Sequence, residues 1–337
     1  MTLVLLPLEP ISMRYGEQWL KWFEDRIRAR KIDALVVKGE TLFSDGIRTG
    51  QFLDAHNTNY WKLTQLANVV ALMHSGSIKD GDKIFDFDLW HSGLEAIPYI
   101  TTLTRQNIEI YGMFHAGTYD ESDYIAKQGM GYFGENFERC ILDFVKCAFV
   151  GSNYHYHMLK GMRGGRVKMT GFPLNQAEII QERQIDGYMK QKIIVNTSRL
   201  SEDKNVHIYK AIKDRVLSNS RFNNVKFVET HGMNLTKDQY YDLLARAKMV
   251  ISTAEHENFG IGVIEAMTLN CYPIVPNDLS YTDYVPEDAR YNTVDEAVNM
   301  IMSKIDYTLP DVTQFVQKYN YSIDGMLDAM GYKSDYL

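Results

Sequence analysis

Short apolar segments alternate with amphipathic segments throughout the C-terminal half of the sequence. Four runs rich in β-branched residues, each bounded by polar turns, lie at 192–198, 225–229, 249–253 and 271–275. Helical patterns lie between them, at 205–217, 236–247 and 260–270. Buried strands separated by helices predict a doubly wound parallel sheet, which binds ligands at the carboxyl ends of its strands.

The N-terminal half shows the same alternation less regularly. Its apolar runs lie at 3–7, 32–39, 83–89, 107–114 and 147–152, with helical candidates at 16–31 and 60–74. Because 337 residues are too many for one compact core, we predict an α/β protein with two Rossmann-like domains that face a cleft. We assign residues 1–175 to the first domain, 176–310 to the second, and 311–337 to a C-terminal helical segment that packs back on the first.

Composition narrows the setting of the protein. No stretch approaches the roughly 20 apolar residues of a membrane helix, and the apolar first residues are typical of an opening strand rather than a secretory signal. Three scattered cysteines, Cys140, Cys147 and Cys271, favour a reducing compartment and form no zinc pattern. We therefore expect a cytoplasmic protein without membrane partners, and the sequence leaves its oligomeric state open.

Charge is unevenly distributed along the chain. The formal net charge is −7, which argues against a surface built for nucleic acid. Basic residues nevertheless gather at 26–31 and 160–169, and a local basic patch can attract a polyanion against the net sign. The alternative interpretation of both runs is a solvated helix face or loop.

Two glutamates flank a glycine turn after the third strand of the C-terminal half. Glu257 precedes the turn and Glu265 follows it, while Gly260 stands where a helix begins. A helix N-terminus offers backbone N–H groups to a phosphate, and glycine lets a ligand approach the backbone closely. The two carboxylates could accept hydrogen bonds from sugar and ribose hydroxyls, so the spacing suits a nucleotide joined to a sugar.

Two cations follow the first strand of the same half. Arg199 and Lys204 lie in the loop after 192–198 and would face the Glu257 turn if the two strands are neighbours. A guanidinium and an ammonium group can together hold a diphosphate. Residues of both signs at adjacent strand ends therefore predict a diphosphate site.

The segments "SRLSEDKNV" and "STAEHENFGIGVIEAMTLNCYPIVPND" resemble the donor half of the retaining GT-B glycosyltransferases of the family 4 type, over roughly 192–285. The resemblance implies that Arg199 and Lys204 bind the diphosphate of a nucleotide-sugar donor. It also implies that Glu257 lies beside the donor sugar and that Glu265 binds the ribose. Asn258, Phe259 and Gly260 would provide backbone contacts.

The first half resembles the acceptor half of the same family more loosely. His115 in "GMFHAGTYD" stands where the family often carries a histidine near the reacting sugar, while the usual glycine-rich loop after the first strand is replaced by "LPLEPISMRYG". The motifs "DLWHSGLEAIPYI" and "GMFHAGTYD" are similar to those of bacteriophage enzymes that glycosylate hydroxymethylated pyrimidines in DNA. More distantly, they resemble enzymes that mannosylate queuosine in tRNA.

Further acceptor-side candidates follow two predicted strands of the first half. Asp86 and Asp88 form an Asp-x-Asp pattern that holds a metal in other glycosyltransferases, yet here it stands outside the nucleotide-like half. We therefore expect Asp88 to shape the acceptor cleft, and no metal. His91 could line the same cleft or be a solvated loop histidine, and Tyr119 and Asp120 complete the set.

The resemblance implies a metal-independent transfer with retention of configuration, in which the leaving phosphate helps to deprotonate the acceptor. The donor is a nucleotide sugar, no cofactor is needed, and we expect DNA carrying hydroxymethylated bases as acceptor. The alternatives are a tRNA, polysaccharide or small-molecule acceptor, a nucleotide-sugar epimerase, and a binding module without turnover. No Ser-His-Asp pattern or dinucleotide-binding glycine fingerprint supports a hydrolase or dehydrogenase.

Overall fold

The computed structural model describes residues 1–11, 15–42, 54–181, 183, 190–198 and 204–333. The chain divides into two compact units, Met1–Leu174 with Tyr321–Leu337, and Asn175–Asn320. The sequence-based boundaries at 175/176 and 310/311 lie one residue after and ten residues before the divisions of the chain at 174/175 and 320/321. Each unit is an α/β layer structure of its own.

The first unit contains a six-stranded, all-parallel sheet in the order β2-β1-β3-β4-β5-β6. Its strands, numbered along the chain, are β1 (Leu3–Leu6), β2 (Ala34–Val36), β3 (Lys83–Asp86), β4 (Glu109–Met113), β5 (Cys147–Val150) and β6 (Val167–Met169). Its helices are α1 (Gly16–Ala29), α2 (Ala55–His74), α3 (Ala96–Thr104), α4 (Tyr124–Lys127), α5 (Gly131–Phe144), α6 (Asn153–Arg163) and the C-terminal α12 (Ser322–Ala329).

The second unit contains a five-stranded parallel sheet in the order β11-β10-β9-β7-β8. Its strands are β7 (Gln191–Asn196), β8 (Lys226–Glu229), β9 (Ala247–Ile251), β10 (Tyr272–Pro276) and β11 (Arg290–Tyr291). Its helices are α7 (Gln176–Ile180), α8 (Val206–Leu217), α9 (Lys237–Arg246), α10 (Ile261–Thr268) and α11 (Val294–Lys304).

Both sheets confirm the α/β, parallel-sheet prediction. The predicted apolar runs all contain strands. β1 is buried on both faces, since all four of its residues are buried, whereas β2 and β8 are only partly buried. The sequence interpretation missed β6 and β11. Both are short strands at sheet edges, where a strand has a neighbouring strand on one side only and its sequence need not be uniformly apolar. It also began α2 too late, because Asp54 caps that helix by accepting from the His56 and Asn57 amides.

Helix α12 packs against α1 within the first unit. The Arg30 guanidinium lies 2.7 Å from the carboxylate of Asp324 and 2.6 Å from that of Asp328. Desolvation of Arg30 opposes its charge, but these two carboxylates outweigh it and raise the arginine pKa.

Among the described residues, no helix is both long and apolar enough to cross a membrane.

Candidate functional site

The second sheet reverses its strand order between β7 and β9, which are neighbours. Ligands of doubly wound sheets bind at such a point, beside the loops that leave the carboxyl ends of the two strands. Lys204 lies in the loop after β7 and Glu257 in the loop after β9. The Lys204 Nζ is 3.4 Å from Glu257 Oε2 and 2.5 Å from the His256 carbonyl oxygen. The two loops therefore meet at the edge that the sequence indicated.

Glu257 is held from a second side by the turn that follows it. The Gly260 amide donates to Glu257 Oε1 at 2.9 Å. Burial opposes ionisation of this carboxyl, but Lys204, His256 and the Gly260 amide outweigh it and lower the Glu257 pKa. Glu257 is therefore an oriented, ionised carboxylate at neutral pH. It accepts hydrogen bonds and donates none, so it suits ligand groups that donate, such as hydroxyls.

The glycines of this turn serve two different purposes. Gly260 is the N-cap of α10 with φ +78, a left-handed conformation that L side chains rarely adopt. Gly262 packs against Thr197 in the loop after β7, where a Cβ would lie 2.8 Å from the Thr197 Cβ. The absence of a side chain at Gly262 therefore lets α10 pack closely against the β7 loop.

Two backbone amides at the start of α10 can donate to an anion. Those of Val263 and Ile264 already donate to the Gly260 carbonyl, whereas the amides of Ile261 and Gly262 have no intrahelical acceptor. Phe259 is buried and packs edge-on against Tyr319 at 4.9 Å, and Asn258 is buried as well. The predicted ligand contacts of 258–260 would therefore come from the backbone.

Glu265 lies in the second turn of α10 and is buried. Its Oε1 accepts from the Tyr241 hydroxyl at 2.8 Å and from the Lys237 ammonium group at 3.1 Å. Sequence reasoning missed both donors, because nothing local to α9 shows that it packs against α10. Arg199, which was predicted to bind the diphosphate together with Lys204, lies outside the described residues.

In the first unit, His115 follows β4. Its Nε2–H donates to the Phe87 carbonyl at 2.6 Å, and Tyr15 lies 3.4 Å from its Nδ1. The ring stacks on Trp19 and Phe172 with centroids at 5.5 and 4.9 Å. Burial lowers the His115 pKa more than nearby Asp88 raises it, so the ring is neutral at neutral pH.

The two carboxylates of the Asp-x-Asp pattern have separate partners. Asp88 pairs with the Lys62 ammonium group at 2.7 Å. Burial opposes ionisation of Asp88, but Lys62 and His115 lower its pKa to about 2. Asp86 is buried and lies 2.7 Å from His91 Nδ1. Among the described residues, no group of three or more His, Cys, Asp or Glu side chains could hold a metal ion.

His91 requires a correction. It is fully buried, and its Nε2 lies 2.9 Å from the Lys62 carbonyl oxygen while Nδ1 faces Asp86. It is therefore not a solvated loop histidine, and both of its nitrogens face acceptors inside the unit. These two contacts tie the end of β3 to α2.

Tyr119 and Asp120 belong to a tightly packed loop after β4. Both are buried, and the Tyr119 hydroxyl is hydrogen bonded to His155 Nε2. Asp120 Oδ1 accepts from the Ser122 amide at 2.9 Å. The Thr118 amide donates to Glu138 Oε1 at 2.5 Å. These contacts make Tyr119 part of the framework of the loop.

A buried ion pair fixes this loop, and sequence reasoning missed it. Arg163 Nε donates to Glu138 Oε2 at 2.7 Å, with side-chain exposures of 5% and 0%. Burial raises the Glu138 pKa although Arg163 and the Thr118 amide favour its charged form. Arg163 belongs to the basic run 160–169, so this member of the run is not available to a polyanion.

The other basic run is also engaged. Arg30 pairs with Asp324 and Asp328, and Arg28 lies 3.3 Å from Asp25. The Arg28–Asp25 pair is exposed and contributes little energy, whereas Arg30 is nearly buried. The carboxylates of both sets cancel much of the local positive charge. Lys160, Arg166 and Lys168 remain exposed in the second run.

These two units, each with a parallel sheet and helices, define the GT-B fold. The chain is similar over 98% of its length to sucrose-phosphate synthase from Thermosynechococcus elongatus, with TM-score 0.63 and 12% identity over 96% of that chain. HepE from Anabaena in complex with UDP matches 98% of this chain and 97% of its own, with TM-score 0.57 and 16% identity. At such identities, these likenesses establish the fold.

Comparison of sequences identifies a shorter stretch of similarity. The tRNA-queuosine alpha-mannosyltransferase of Drosophila melanogaster is 43% identical over 60 residues, which make up 18% of this chain and 16% of that protein. The match thus spans about a sixth of the length of that relative. No protein-family model matches the chain.

Proposed function

We propose that this protein is a glycosyltransferase that moves a sugar from a nucleoside diphosphate sugar to an acceptor hydroxyl. The observation that carries the proposal is the Lys204–Glu257 contact of 3.4 Å at the point where the sheet reverses its order. A cation and an oriented carboxylate, next to helix amides that have no intrahelical acceptor, suit a ligand with a diphosphate and hydroxyls. The UDP complex of HepE supports a nucleotide donor.

The mechanism follows from the charges. Cleavage between the sugar and the diphosphate leaves an anion and a cation-like sugar, and an enzyme must stabilise both. Lys204 and the first amides of α10 would hold the leaving diphosphate, and the family resemblance adds Arg199 to this set. Glu257 would bind sugar hydroxyls, and Glu265 the ribose.

We propose that the sugar is transferred with retention of configuration. The leaving phosphate would then take the proton of the acceptor on the same face, so no protein side chain has to act as base. His115 suits an orienting role, because its neutral ring is fixed by the Phe87 carbonyl and by stacking on Trp19 and Phe172.

The acceptor we propose first is a hydroxymethylated pyrimidine in DNA, from the sequence motifs around His91 and His115. One surface of the first unit supports an acceptor with flat bases. Tyr132 and Phe133 at the start of α5 are 86% and 56% exposed, and Gly134 packs against Thr118 in the loop after β4. Exposed aromatic rings stack on unpaired bases with about 1–3 kcal/mol per base.

The second candidate acceptor is a tRNA. The match to the tRNA-queuosine alpha-mannosyltransferase favours it, because that stretch is 43% identical over 60 residues. Either nucleic acid must present its target hydroxyl outside the base stack, so the same exposed rings suit both.

An acceptor panel tests this function. The protein is incubated with UDP-, GDP- and ADP-sugars together with hydroxymethylated DNA, unmodified DNA or total tRNA, and the nucleic acids are digested and weighed as nucleosides. We expect a hexose or pentose mass increment on hydroxymethylated nucleosides alone. An increment on a tRNA nucleoside would replace the first candidate by the second. An isomerised donor without transfer would identify an epimerase, and binding without turnover a binding module.

The second expected result concerns metal ions. Activity should persist in EDTA, because Lys204 and the α10 amides can neutralise the diphosphate and the two Asp-x-Asp carboxylates are already paired. The measurement is the transfer rate with EDTA, with manganese, and with neither. Loss of activity in EDTA that manganese restores would contradict metal independence and assign Asp86 and Asp88 a metal.

A further inference from the structure

Two of the donors that hold Glu265 lie on one face of α9. Lys237 is the first residue of that helix and Tyr241 lies one turn later, a spacing that puts both side chains on the same side. A capping box formed by Thr236 and Gln239 fixes the helix start, and with it the position of the Lys237 backbone.

The Lys237 side chain is itself constrained by aromatic rings. Its Nζ lies 5.5 Å from the Tyr240 ring centroid and 5.4 Å from the Tyr241 ring centroid, in addition to 3.1 Å from Glu265 Oε1. Cation–π contacts of this kind favour one position of the lysine ammonium group. The ammonium group is therefore preset beside the carboxylate.

Both hydrogen bonds fall on the same carboxylate oxygen. Oε1 accepts from Tyr241 and from Lys237, and two donors use the two lone pairs of a carboxylate oxygen. The Tyr240 hydroxyl forms a further hydrogen bond to the Glu265 carboxylate. Three side chains of α9 therefore fix the orientation in which this carboxylate can meet a ligand hydroxyl. The positive charge of Lys237 also offsets that of Glu265, which lowers repulsion between this carboxylate and a bound diphosphate.

We propose that Lys237 and Tyr241 are positioning residues that fix Glu265 to read the ribose of the donor. They thereby set a preference for ribonucleoside over 2′-deoxyribonucleoside diphosphates. This inference rests on the proposed function, because it takes Glu265 as the ribose ligand.

A substitution pair tests the inference through binding alone. Calorimetry measures the Kd of UDP and of 2′-deoxy-UDP, or of GDP and its 2′-deoxy form if GDP binds more tightly, for the wild type, Lys237→Met and Tyr241→Phe. For the wild type we expect about tenfold weaker binding of the 2′-deoxy form, the loss of one hydrogen bond to a charged group. In both variants this ratio should fall to about two or three.

Controls separate positioning from general damage. Lys226→Met, at an exposed lysine in the same unit, should keep the wild-type ratio, and thermal melts should show that all variants are folded. A ratio unchanged in both variants, or near one in the wild type, overturns the inference and leaves the proposed function standing. Failure of the wild type to bind any nucleoside diphosphate would instead overturn the proposed function, and the inference with it.

Discussion

Replacing Lys204 by methionine is expected to lower kcat/KM for sugar transfer by about 10²- to 10³-fold, since one preorganised donor to a developing negative charge contributes about 3–4 kcal/mol. Lys204 is nearly buried, and methionine keeps the apolar stem that packs there. Its Nζ bridges the His256 carbonyl and Glu257, so it stands where both loops meet.

The loss should be specific to the chemistry. Glu257 keeps the Gly260 amide as a partner and is partly exposed, so the variant should fold, with a Tm close to that of the wild type. Lys210→Met, at an exposed lysine on α8, is the matched control and should retain full activity. A folded Lys204→Met protein with wild-type kcat/KM would remove Lys204 from the proposed mechanism.

The second large effect is on stability. Replacing Arg163 by methionine is expected to lower the free energy of unfolding by about 3–5 kcal/mol, because it leaves the Glu138 carboxylate buried without its counter-charge. Urea unfolding of the variant and the wild type measures this difference. Arg166→Met, at an exposed position of the same basic run, should change stability by less than about 0.5 kcal/mol.

The pH dependence identifies the cause of the Arg163→Met defect. Burial already raises the Glu138 pKa, and losing Arg163 raises it further. Between the unfolded and the folded pKa the folded state binds more protons, so stability falls as pH rises through this range and returns as pH falls. The stability gap between variant and wild type should therefore narrow as the pH falls. The double variant Glu138→Gln/Arg163→Met should be more stable than Arg163→Met, and equal destabilisation of the two would contradict the ion-pair explanation.

Local sequence patterns were sufficient for the elements and for the place of the donor-side residues. A short apolar run with β-branched residues and flanking polar turns, such as 249–253, favours a buried strand, so β9 could be predicted from its own residues. Once parallel strands are neighbours, their carboxyl ends share one edge of the sheet, which is why Lys204 and Glu257 could be expected together. The GT-B fold prediction, which added the family resemblance to these patterns, is confirmed.

The roles of individual residues were less accessible to local reasoning. His91 follows a strand in a polar segment, and a histidine in such a segment could line the acceptor cleft or lie in a solvated loop. Its actual place depends on α2, which supplies the Lys62 carbonyl from 29 positions away. Arg30 and Arg163 likewise belong to basic runs that suit phosphates, yet carboxylates of other helices pair with both.

The sequence by itself thus determined what is encoded by neighbouring residues: the alternation of strands and helices, the helix start at Gly260, and the loops that carry Lys204 and Glu257. Only the tertiary structure decided which charges meet. Pairs such as Lys237 with Glu265, Lys62 with Asp88, and Arg163 with Glu138 join helices or loops that are 25–28 residues apart. Their partners are chosen by the packing of helices on the sheet, because a charge can be buried only where that packing brings a counter-charge within about 3 Å.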